Sequence, residues 1–209
     1  MKGLLLKEFY MITKYCKTYF LILAMFILLS FTAKNDNLFF VFYPCLISGM
    51  IPVTLLSYDE HSKWNKYCGT LPYTKTQIVS AKYLIGILIQ ITVLLLSSIT
   101  QAIRMHVNHI FHWEDYLLLL SLLFTISCVA SSLSLPFMFK YGVEKGRIVY
   151  YIMIGFVCTS SVLASEFFSN NLQSEISFST FLILFYIIGI CIYMLSWYLS
   201  VIFYKKREI

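Results

Sequence analysis

Six apolar runs divide this 209-residue chain, and they leave it few possible folds. They cover Thr18–Ala33, Asn37–Ser57, Gln77–Ile103, Asp115–Phe139, Ile148–Ser165 and Ser179–Tyr204. A bilayer core about 30 Å thick is crossed by roughly 17–25 helical residues. The runs therefore predict six transmembrane helices in an all-α integral membrane protein, forming one domain over 1–209. Composition agrees with this. The chain is 59% hydrophobic and 12% charged, whereas a soluble domain is about a quarter charged, so there is little material for a water-facing surface. The first run is short, but Lys17 and Lys34 flank it and can snorkel to the interfaces.

Six crossings place both termini on one side. With the N-terminus in the cytoplasm, 14 of the 16 Lys and Arg residues fall in inner segments, and only Lys34 and Arg104 in outer ones. The acids split evenly, as expected when positive charge alone sets topology. The net charge of +6 is thus read as lysine retained on the cytoplasmic side, and no nucleic-acid partner is expected. No cleavable signal peptide is expected either, because no short apolar run with a small-residue cleavage site follows the basic start.

Before the first run lies MKGLLLKEFYMITKYCK, residues 1–17. Leu5, Phe9, Ile12 and Cys16 recur at helical spacing, with Lys7 and Lys14 on another face. This pattern predicts an amphipathic helix in the membrane interface, with a cytoplasmic extension of the first span as the alternative.

The least apolar stretch between runs is SYDEHSKWNKYCGTLPYTKTQIV, Ser57 to Val79. Ser57-Tyr58-Asp59-Glu60 fits a capping box, which satisfies the free amides of a helix start. His61, Trp64, Tyr67 and Leu71 then share a stripe, and Asp59 and Glu60 precede Lys63 in the acid-first order that supports a helix. Gly69 and Pro72 end the helix. Thr74 and Gln77 form a second box that opens the third run. A short helix and turn over 58–74 is predicted, its aromatic stripe suited to either the bilayer interface or a protein groove. In the second run, Pro44 and Pro52 remove helix hydrogen bonds on either side of Gly49. They predict a kinked or broken helix near a translocation path.

LLLKEFYMITKYCKTYF, SYDEHSKWNKYCGTLPYTKTQIVSAKYL and the basic C-terminal tail resemble, over the full length, a small six-span permease subunit of the ABC-2 type of bacterial ABC exporter. Within that family the chain is most similar to the permeases of phenol-soluble-modulin-type peptide exporters. The resemblance implies a multi-pass protein of the bacterial cytoplasmic membrane with an N-terminal elbow helix over 1–17. It also implies a coupling helix in which Asp59, Glu60, Lys63, Trp64 and Tyr67 contact a separate P-loop ATPase subunit. The Lys140–Arg147 loop would be a smaller contact, and Glu166–Phe178 an outer segment, often partly re-entrant. Such permeases work in pairs, so a second copy or a paralogue is implied. The implied cargo is amphipathic, a peptide, an antimicrobial or a lipid-like molecule, moved out of the cytoplasm or inner leaflet. ATP and magnesium would be bound by the partner, with no cofactor in this chain. The competing class is a stand-alone membrane immunity or interaction protein with no ATPase.

No phosphate-binding G-x-x-x-x-G-K-[ST] loop occurs, no catalytic residues are expected, and the runs look nearly free of ionisable residues, which argues against a proton-coupled carrier or an intramembrane protease. Lys82 is read as lying near a cytoplasmic end. The six cysteines show no CxxC pairing and are read as small buried hydrophobes. His106, His109 and His112, spaced by three, are a possible metal cluster, with an exposed outer loop as the plain alternative; no metal site is assigned.

Overall fold

A computed structural model describes residues 2–32, 39–68, 70–108, 112–148, 151–152 and 178–206. All regular structure among them is helical: α1 (Lys2–Tyr15), α2 (Lys17–Thr32), α3 (Phe39–His61), α4 (Trp64–Cys68), α5 (Lys75–Val107), α6 (Trp113–Tyr141) and α7 (Phe178–Lys206). A further helical segment covers 143–148. Four helices are long and apolar enough to cross a membrane, or five if α1 and α2, bent by 66° against each other, are counted as one span. The expected fifth run, Ile148–Ser165, and the outer Glu166–Phe178 stretch lie almost wholly outside the described residues.

Local chemistry sets several helix ends. Thr74 caps α5 in an extended conformation: its hydroxyl accepts from the Gln77 amide, and the Gln77 side chain accepts from the Thr74 amide. Acidic Glu114 and Asp115 occupy the first turn of α6, where they oppose the positive end of the helix dipole. Gly142 ends α6 at φ 83°, a conformation glycine adopts without a Cβ penalty, and its amide bonds the Met138 carbonyl.

The N-terminal helix differs from the sequence reading in which side it buries. Leu4, Glu8 and Ile12 face inward, while Phe9 is exposed. Helix α3 continues through Pro44 and Pro52 as one helix, and, against expectation, it runs past Ser57 to His61. Ser57 therefore lies inside a helix rather than at the start of one. The expected capping box with Glu60 does not form, because the span carries its own helical hydrogen bonds into this stretch.

Helix α3 is the centre of the bundle and packs against α1, α2, α5 and α6, while α6 and α7 form the most extensive pair. Both prolines of α3 are fully buried, so the face of this helix that carries them meets protein. Gly49 allows its close approach to α6: a Cβ there would stand 2.9 Å from the Ala130 Cβ and 3.2 Å from the Ser131 amide nitrogen. Small residues at helix crossings do this in membranes, where lipid removes the hydrophobic drive for helices to associate.

Polar side chains then fix α5, α6 and α7 to one another. The Tyr83 hydroxyl shares hydrogen bonds with Ser196 (2.7 Å) and Ser200 (2.6 Å). Tyr193 donates to the Tyr83 carbonyl, Ser196 to the Ser132 carbonyl and Gln90 to the Ser127 carbonyl. Outward, Leu88, Ile91, Leu95 and Ile99 of α5 are exposed, an apolar face that suits hydrocarbon.

Candidate functional site

The connection from α3 to α5 carries the predicted site residues. Helix α3 stops at His61 because Lys63 takes a left-handed backbone with φ 54°, a region that costs a non-glycine residue about 1–2 kcal/mol. Helix α4 follows as five residues, Trp64–Cys68, and turns lead to the cap at Thr74. The expected continuous stripe is thus divided between two helices at Ser62–Lys63.

The five residues assigned to one outer contact do different things. Asp59 is 2% exposed and bonds to Lys7 and to Lys82, the latter at 2.5 Å. It cannot lie on a docking surface, which corrects the expectation, and it does not pair with Lys63. Glu60 accepts from the Val143 amide at 2.8 Å, closing the start of the 143–148 helical segment. The two segments that the sequence reading assigned separately to the cytoplasmic side are therefore joined. Trp64 is half-buried, with Lys7 Nζ 4.3 Å above its ring centroid and the Tyr67 ring 5.5 Å away. Lys63 and Tyr67 are the two that face outward, Tyr67 at 59% exposed.

Beneath them lies a feature that sequence reasoning missed. Lys7 and Glu8 of α1, Asp59 of α3 and Lys82 of α5 form a closed ring in which each lysine touches both carboxylates. Lys82 reaches Glu8 at 2.7 Å, and Lys7 reaches Glu8 at 3.2 Å. Glu8 and Lys82 are 1% and 2% exposed, so Lys82 is a core residue and not a snorkelling one. Two positive and two negative charges balance, which is the condition for holding charge in a dry interior, and loss of one member leaves another uncompensated. The signal was present in the sequence. Glu8 shares a stripe with Leu4 and Ile12, and Lys82 stands a full turn inside an apolar run. Ionisable residues in such places are rare and usually matched.

Cys68, 1% exposed, sits against this ring. Burial pushes its thiol up from the ordinary range, and Lys7 opposes the shift. Of the three histidines, His106 and His112 are exposed and His109 lies outside the described residues. Among the described residues no three His, Cys, Asp or Glu side chains converge as a metal site would require.

Helices of membrane-crossing length, an outward apolar surface and a charge-pinned base define a multi-pass helical membrane protein. The chain belongs to the ABC-2 transporter family: the profile described as ABC-2 family transporter protein matches residues 3–205. No curated protein and no solved structure matches it.

Proposed function

We propose that this chain is the permease subunit of an ATP-driven exporter, and that the α3–α5 connection docks on a separate P-loop ATPase subunit. The observation that carries the proposal is the combination of an outward face, Lys63 and Tyr67, with a rigid base. The face sits on a helix break, and the residues beside it bond to α1, α5 and the 143–148 segment. A load applied to Tyr67 would thus reach several helices without passing through a soft loop. An exposed tyrosine supplies the rigid, amphipathic area common in interface hot spots, and Lys63 sets register and partner choice more than affinity. Trp64 acts here as an inner bracket beneath Lys7 rather than as the contact itself.

The basic ends of the described helices support a cytoplasmic location for this face and for both termini, in a bacterial cytoplasmic membrane. The α1–α2 bend supports reading α1 as an interfacial elbow helix. The resemblance to peptide-exporter permeases, together with the apolar walls, supports an amphipathic cargo carried between two permease copies.

The test is co-purification of P-loop ATPases from cells expressing this chain. Tyr67→Ala should lower recovery of the ATPase at least tenfold and abolish export, with the permease still inserted. Recovery and export at the unsubstituted level would remove the docking role. No recovery of an ATPase even with the unsubstituted chain would instead favour a membrane protein that acts without one.

A further inference from the structure

A cleft of about 560 Å³ opens between α5, α6 and α7. Its wall on α5 runs from Ser80 to Leu95, which is about 22 Å of helix, against about 15 Å for one leaflet of hydrocarbon. Leu84, Ile87 and Leu94 line one side, and Phe124, Ile190 and Met194 the others. The polar groups at its border are turned onto each other: the Trp197 indole donates to Ser80 at 3.1 Å, Gln90 donates to the Ser127 carbonyl, and the Tyr83 hydroxyl is held by Ser196 and Ser200. The walls therefore present hydrocarbon and suit an occupant with no backbone amides to satisfy.

The end of the cleft is charged. Past Trp197, the same stripe of α7 reaches Lys205 within about 12 Å, and Lys205 and Lys206 are both exposed. Lys75 Nζ bonds the Lys205 carbonyl at 3.3 Å, so the start of α5 brings a third cation to this end. An apolar slot longer than one leaflet, with an indole and a hydroxyl at its mouth and lysines beyond, is complementary to a single amphiphile: an acyl chain joined to a phosphate.

We infer that the α5–α6–α7 cleft holds an acyl chain of an anionic phospholipid, drawn from the leaflet on the Lys205 side, with its phosphate against Lys205 and Lys206. Each lysine near a lipid surface favours an anionic headgroup by about fivefold. Among the described residues, the lipid fills space that would otherwise leave the α5–α7 seam open. The site is independent of any ATPase contact, so its test does not share an outcome with the docking proposal.

The purified chain is reconstituted in zwitterionic vesicles. Equal mole fractions of brominated-chain phosphatidylglycerol or phosphatidylcholine are added, and the Trp197 contribution is taken as the fluorescence difference from W197F. Over a titration, phosphatidylglycerol should quench that component at roughly 25-fold lower mole fraction, about fivefold for each lysine, and K205Q/K206Q should bring the two lipids together. Equal quenching by both lipids in the unsubstituted chain would reduce the cleft to ordinary lipid-facing surface and overturn the inference. Absence of quenching by either lipid would show the cleft to be covered by protein, and would overturn it equally.

Discussion

Four side chains carry most of what is unusual here. Lys7, Glu8, Asp59 and Lys82 are charged and almost wholly enclosed, Lys7 excepted. Breaking a buried pair by removing one partner costs about 3–5 kcal/mol, whereas replacing both by apolar groups is often neutral or better. Glu8→Leu should therefore lower the thermal unfolding midpoint in detergent markedly, and Glu8→Leu with Lys82→Met should recover most of the loss. If the double variant is as unstable as the single one, the ring is not a balanced charge set. Individual residues were unevenly legible from sequence. The cap at Thr74 is a local matter of three residues and could be read directly. The ring joins positions 7, 8, 59 and 82, and no short-range pattern links them. Asp59 looked like a surface residue because its neighbours in sequence are polar, while its neighbours in space belong to α1 and α5.

At the level of elements, α3 is the helix on which the others depend. Its prolines were expected to kink or break it; both are packed among neighbouring helices, and the helix is continuous. Gly86 of α5 faces Pro52, where a Cβ would stand 3.1 Å from the ring. The prolines thus shape the α3 surface that α5 meets. Gly49 makes the approach to α6 possible, so Gly49→Leu should force α3 and α6 apart. Overpacking of a tight core typically costs about 1–3 kcal/mol, and the variant should show a lowered unfolding midpoint in detergent. A midpoint equal to that of the unsubstituted chain would mean the crossing is looser than the 2.9 Å separation implies. The existence of α3, α5, α6 and α7 was legible because each is a long apolar run. The division of the 61–71 stripe at Lys63 was not, because a lysine in the left-handed region runs against its backbone propensity.

For the whole molecule, the bias of Lys and Arg predicts one orientation. In a chain with its native cysteines replaced, a cysteine at position 63 should react with an impermeant maleimide only after the cell is opened. One at position 108 should react in intact cells, and the reverse pattern at both sites would invert the topology. The ionic ring adds an order of events to that picture. Glu8 is made early, but its buried partner Lys82 comes 74 positions later. At about 5–20 residues per second, several seconds separate the two. Until α5 emerges, Glu8 and Asp59 have only Lys7 between them, and the negative charge exceeds what one lysine can balance. Helix α1 therefore gains its full electrostatic reason to stay in place only once the third long helix is synthesised. Helix α1 is thus completed by α5, and a nascent chain paused before Lys82 would hold α1 with Glu8 only partly paired, more open to chaperones and to proteases.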